Sequence, residues 1–315
     1  VRQAAGGFSG KPLHVFTPGT AELIPKSGKA AAFEGANPER GVPLYYYLDD
    51  ETEESLTIEI LDSADEVVRR YSSEEGDFER CKISNMDPRL PFELKYPATE
   101  KGLNKWTWDM KHQGLNCIEH ITLFAGFDGP GAAPGNYRAR LSIGDSVQTV
   151  AFSVKMDRRI SATDEEIQFW SGRLAEVGSL IDDALSSLDV ARQAHRQIEE
   201  LMTEHPEDQD LQQTGATALE RITAWDGKII QVLHQTYEDE DAWETMLAGQ
   251  LRFLLDVIDT TGAPVTAGAL LRLADLKAEW SERQAELQAI KTGYIDVINE
   301  WARRQNVPHV ASPGR

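Results

Sequence analysis

The sequence predicts an α+β multidomain chain: an antiparallel β-sandwich followed by an antiparallel bundle of three or four helices. Three observations carry that reading. Apolar residues recur at every second position through much of 41–160, and at helical spacing from 161 to 305. The stretch 134–159, PGNYRARLSIGDSVQTVAFSVKMDRR, reads as two strands joined at Gly144-Asp145 with a helix start directly after them, so the change of period falls at one place. The 315 residues are also enough for two separate cores. Four segments follow: an extended linker or N-terminal arm (1–40), a sandwich (41–160), a bundle (161–305) and a tail (306–315).

The arm is rich in Gly, Ala, Pro and Lys and has one short apolar stretch, 13–16, so it is expected to lie along a neighbouring surface. Asn37-Pro38 and Arg40-Gly41 punctuate its end. PLYYYL (43–48) is a short, aromatic-rich strand. Leu56, Ile58 and Ile60 alternate with Thr57 and Glu59, as in a half-buried strand, and EVVRRY (66–71) returns as its partner after the turn residues 62–65. Residues 72–101, with Pro88, Pro91, Pro97 and Cys81, are expected to form a loop. In GLNKWTWDMK (102–111), Trp106 and Trp108 share one strand face, which assigns both indoles to the sandwich core. A second loop, 112–133, holds His112, Cys117, His120 and several glycines. Tyr137, Ala139, Leu141 and Ile143 then alternate towards the turn, and Val150, Phe152 and Val154 alternate on the return.

Beyond Arg159 the periodicity becomes helical. Thr163 with Glu166 makes a capping box, and Asp164 and Glu165 suit the positive end of a helix dipole. Ile167, Leu174, Ile181, Leu188, His195 and Met202 recur every seven residues, with Trp170, Val177, Ala184, Ala191 and Ile198 in the second seam position, until Pro206 ends the helix. His195 therefore reads as a core histidine. A second helix is expected over 208–237 and a shorter one after the acidic cluster 238–241, though one kinked helix fits equally. The last helix starts near Thr266 and places Leu273, Trp280, Leu287, Tyr294 and Trp301 every seven residues, with Leu276, Ile290 and Val297 between them. Arg283 is the misfit on that seam; its stem can lie along the core while its head reaches outward. The tail from Asn306 is expected to lack fixed structure.

A net charge of −20 argues against nucleic acid and anionic membrane surfaces as partners, and no run of eighteen apolar residues is present to insert in a bilayer. Cys81 and Cys117, the only two cysteines, either pair in an oxidising compartment or stay free. His112, Cys117 and His120, with Cys81, have the residue types of metal ligands, but H-x4-C-x2-H is not a zinc pattern, so no metal site is assigned and no cofactor is expected. Asp109 follows Trp108 without a second carboxylate at a recognisable spacing. Phosphate-loop, dinucleotide, HExxH and nucleophile-elbow motifs are all missing, and Gly7-Phe8-Ser9-Gly10 fails the elbow spacing. No catalytic residue is assigned.

In order, GVPLYYYL (41–48), LTIEILDSADEVVRRYS (56–72), GLNKWTWDMK (102–111) and PGNYRARLSIGDSVQTVAFSVKMDRR (134–159) resemble the C-terminal region of bacterial sortilin-like proteins with BNR/Asp-box β-propellers, often labelled glycosyl hydrolases. The helices match as well, in GAPVTAGALLRLADLKAEW (262–280) and IDVINEW (295–301). The family's hairpin ends in Asp-Pro-Arg, where this chain has Asp157-Arg158-Arg159, so the entry to the helix is expected to differ. No Asp-box repeat occurs. The resemblance implies an Ig-like sandwich and a non-catalytic structural or protein-interaction module, periplasmic or extracellular, whose signal lies upstream or has been removed. Its partners would be an upstream propeller, another protein, or both. Two alternatives accompany it. One is an accessory part of a glycoside hydrolase whose active site lies on the propeller. The other is a carbohydrate-binding module using Trp106 and Trp108, which requires exposed indoles.

Overall fold

The computed structural model describes residues 10–24, 40–85, 94–123, 126–234, 239 and 241–312. It is an α+β fold with two sheets and a set of helices that follow them. Strands β1 (Leu13–Val15), β3 (Val42–Leu48) and β6 (Gly102–Trp108) form an antiparallel sheet in the order β1-β3-β6. The second sheet has the order β2-β8-β7-β4-β5, built from β2 (Ala21–Leu23), β4 (Leu56–Leu61), β5 (Val67–Ser72), β7 (Gly135–Ile143) and β8 (Ser146–Met156). The expected hairpin is β7–β8, with Tyr137 opposite Phe152 and Ala139 opposite Val150, a register that keeps both apolar sets on the inner side. Gly144 supplies the positive φ (+50°) that its two-residue turn needs.

Both sheets feed one core, in which Leu44, Tyr46 and Trp108 meet Ile58, Leu141 and Phe152. Trp108 is fully buried, edge-on to Tyr137 at 5.0 Å and to Phe152 at 5.9 Å, and its Nε1 donates to the Lys111 carbonyl at 2.9 Å. It presents no ring face to a sugar. Trp106 is half-buried against Tyr71. Glu59, expected at a half-buried strand's polar side, is only 5 % exposed. It sits opposite Arg70 on β5 and Arg140 on β7, accepting from their Nε atoms at 3.0 and 2.7 Å. Burial opposes its ionisation, but these two guanidinium groups outweigh it and hold the carboxyl below its usual value.

The arm contributes more than a surface linker, because β1 and β2 are both in it. β1 pairs antiparallel with β3, and β2 pairs parallel with β8. Three residues are too few to show alternation, so no sequence pattern marks them. Gln148 closes the outer side of β1: its Nε2 donates to the Leu13 carbonyl at 2.7 Å, and its Oε1 accepts from Val15 N–H at 3.0 Å. Residues 1–9 and 25–39 of the arm, with Pro88 and Pro91 of the first loop, lie outside the described residues. That first loop holds helix α1 (Asp77–Ser84).

Helix α2 (Asp164–Glu204) starts at the expected capping box: Thr163 Oγ1 accepts from Glu166 N–H at 3.2 Å and Glu166 accepts from Thr163 N–H at 2.8 Å. Asp157, in the Asp-Arg-Arg that precedes it, is held by Arg159 through an Nε–Oδ2 bond of 2.9 Å. Helices α3 (Gln209–Ile229) and α4 (Leu247–Thr261) are separate rather than one kinked helix, and α3 stops short of the expected end. Together with α5 (Ala267–Ile290) and α6 (Asp296–Gln305) they build a second core around Trp170, Ile181, Trp225, Leu251 and Trp280. His195 is not in that core. Ala194 takes the buried position, and His195 sits at the α2–α3 seam edge beside Glu199 (3.4 Å) and Thr223 (3.3 Å).

The last seam also departs from its heptad. A π-helical turn, Lys291–Ile295, separates α5 from α6 and adds one residue to the winding. Ile295 and Ile298 are buried as a result, while Val297 is 43 % exposed. Arg283 fits its expectation, with its head 2.7 Å from Glu286. The described part of the tail is fixed, against expectation. The Asn299 side chain donates to the Val310 carbonyl at 3.1 Å and accepts from Val310 N–H at 2.7 Å, and Val310 itself is buried. No helix among the described residues is long and apolar enough to cross a membrane.

Asn299→Ala strands both Val310 backbone groups in the core and should cost about 2 kcal/mol. A urea midpoint unchanged from the parent would contradict this.

Candidate functional site

The segment between β6 and β7 connects the two cores. Its two limbs pair with each other: Ala132 N–H donates to Met110 O at 2.8 Å, His112 N–H to Pro130 O at 2.8 Å and Leu115 N–H to Phe127 O at 2.8 Å. They approach so closely that a Cβ at Gly129 would lie 2.0 Å from the Gln113 carbonyl, which is why glycine stands there. On one side the segment continues the sheet, since Gln113 N–H donates to Val68 O at 2.7 Å and Arg69 donates to His112 O at 2.9 Å. Its far end belongs to the helices. Leu115, Ile118, Ile121, Leu123 and Phe127 are all buried in the helical core. Asp182 of α2 accepts from Asn116 N–H at 2.6 Å, and Cys117 is joined to Cys81 of α1 by a disulfide.

The sequence candidates disperse along this segment. Cys81 and Cys117 are consumed by their disulfide, so neither offers a thiolate. Burial pushes the His112 imidazole below its usual pKa, whereas His120 is exposed near Glu119. No group of three His, Cys, Asp or Glu side chains could hold a metal ion among the described residues.

The structure instead gathers charged groups that are remote in sequence. A cavity of about 260 Å³ opens where the segment meets the ends of β2 and β8 and the C-terminal turn of α4. Asp109, Lys111, Asp259 and Arg40 line it with Met110, Met156, Ile160 and Trp170. Asp109 Oδ1 accepts from Tyr71 OH and from Lys111 N–H, each at 3.2 Å. Asp259 accepts from Gly131 N–H, and a Cβ at Gly131 would come within 2.2 Å of its Oδ1. Burial raises the Asp259 pKa above the carboxylate norm; Lys111 draws it back and Asp256 pushes it up again. Beside the cavity, Asp128 lies 2.8 Å from Lys82 and 3.4 Å from Lys111. Burial works against its charge, but Lys111, Lys82 and Arg69 prevail and lower its pKa to about 2. Sequence reading found Asp109 but not Asp259, which sits in an ordinary amphipathic helix with no local motif. Only the fold puts the two carboxylates on one cavity.

No protein-family model, curated protein or solved structure matches the chain.

Two outcomes follow from this joint. The disulfide closes a sequence separation of 36 residues, so Cys81→Ser with Cys117→Ser should lower stability by about 4 kcal/mol in urea unfolding. The Asp128 carboxylate is stabilised in the fold, with its pKa lowered from 3.8 to about 2. Its contribution is therefore complete above its unfolded value and lost as pH falls from there towards 2. Asp128→Asn should lower the urea midpoint at neutral pH and flatten its decline over that acidic window.

Proposed function

We propose that the chain is a non-catalytic structural and protein-interaction module, in which an Ig-like sandwich carries an antiparallel helical bundle in a fixed orientation. It would belong to the C-terminal part of a sortilin-like β-propeller protein and pack against the propeller, another protein, or both. One observation carries the reading: the segment between β6 and β7 is bonded to the sheet edge at one end and buried in the helical core at the other. That construction joins the two parts without a hinge, which serves presentation of a surface. The four motifs, GLNKWTWDMK and the hairpin foremost, support the family. The Cys81–Cys117 disulfide supports an oxidising, extracytoplasmic location. Val232 and Trp243, 60 % and 47 % exposed in the link between α3 and α4, support a contact surface on the helices.

The chain alone should hydrolyse neither aryl glycosides nor peptides at any substrate concentration. Saturable turnover that disappears when a single acidic residue is replaced would overturn the reading. Activity of the longer protein that is lost on removing residues 41–305 would favour the accessory-hydrolase alternative.

A further inference from the structure

The outer groove between α4 and α5 carries an inference that deepens the interaction reading above and rests on it. Arg272 of α5 donates to Gln250 of α4, and a cavity of about 750 Å³ lies between the two helices. Phe253, Leu254 and Val257 line it from α4, and Gly268 and Ala269 from α5. The space is there because α5 turns its smallest residues to it: a Cβ at Gly268 would meet nothing within 4 Å. Leu254 and Ala269 are buried beneath it, whereas Phe253 is 54 % exposed. Leu271, one turn after Gly268, is 70 % exposed, more than any other large apolar residue described. A patch of this kind marks a surface that a partner covers.

Charge narrows the partner. At the N-terminal end of α4 the groove is lined by Asp241 and Glu244, beside the exposed Trp243. Neither carboxylate has an ion pair among the described residues. Arg272, the cation in the lining, is already engaged by Gln250. In sequence Asp241 closes the acidic run 238–241, and residues 161–315 hold 28 Asp and Glu against 13 Lys and Arg. A second copy meeting groove to groove would set Asp241 and Glu244 against their own equivalents, so charge opposes it. The groove is open on its outer side, whereas a small-molecule site encloses most of its guest. We propose that the α4–α5 groove docks an amphipathic helix of a partner protein. Its apolar stripe lies against Phe253, Leu254 and Val257, and its lysines or arginines meet Asp241 and Glu244.

A fluorescein-labelled peptide of about 18 residues, long enough to follow α4, tests this by anisotropy titration with the whole chain. It carries leucines at helical spacing and lysines on both flanks of that stripe. It should bind saturably, with a dissociation constant on the order of 10 µM. The same peptide with glutamates for its lysines should bind at least about tenfold more weakly. A benzophenone in place of one leucine should cross-link to residues 241–257 or 268–272. Phe253→Lys should weaken binding at least about fivefold, as should Asp241→Asn combined with Glu244→Gln, which keeps the test open should the first variant fail to fold. Absence of saturable binding, equal binding of the glutamate peptide, cross-links elsewhere, or undiminished affinity in both variants would each overturn the proposal. So would a dimer in sedimentation that Phe253→Lys dissolves, since the groove would then belong to a second copy. None of these results touches the interaction-module reading, which turnover by the chain itself would sink.

Discussion

A chain segment that leaves one core to fill another must find partners for its backbone donors and acceptors along the way. The rest of this structure depends on how residues 109–133 meet that constraint. Their two limbs bond to each other, so the excursion is stiff before it reaches the helices. At the tip, Asn85 adds a further anchor: its amide donates to Ile118 O at 2.6 Å and accepts from Ile121 N–H at 2.7 Å. Five apolar side chains of the segment then lie in the helical core. Sheet and helices consequently share a structural element as well as a boundary.

Electrostatics shows the same dependence on what the fold brings together. The chain carries a large acidic excess, yet Glu59 in the sheet and Asp128 and Asp259 at the joint are individually managed. Glu59 lies flat between two arginines contributed by the strands on either side, which cross-strand pairing allows only at one register. Asp128 gathers lysines from α1 and from the segment itself. Asp259 differs, since burial dominates and its proton affinity rises. These three carboxylates thus have distinct acidities, set by their neighbours and not by residue type.

Much of the secondary structure was legible in the sequence, and the reasons are local. The β7–β8 hairpin announces itself through alternation and Gly144-Asp145, and the start of α2 through Thr163 and Glu166; both are decided by residues within a few positions of each other. What escaped was decided at a distance. β1 and β2 are strands only because β3 and β8 accept them. The apolar residues of 112–133 look like loop residues, since the core they fill lies in a later part of the chain. The heptad of the last helix holds through Ile290 and again at Trp301, but the π turn at Lys291–Ile295 buries Ile295 and Ile298 and leaves Val297 exposed, and periodicity carries no sign of one extra residue in a turn. Asp259 was invisible for the same reason as the strands, as its partner Asp109 comes from the other half of the fold.

Gln148 has a bearing on how the molecule behaves among its own copies. A strand at a sheet margin offers a row of backbone donors and acceptors that another chain can adopt. Here a single carboxamide occupies the donor of Val15 and the acceptor of Leu13 at once. The side chain stands in for the neighbouring strand that would otherwise arrive from a second molecule. An aliphatic residue at position 148 would leave the inner core much as it is and turn β1 into a template for intermolecular association. One amide thus closes this margin with hydrogen bonds alone, and no charge is needed at the contact.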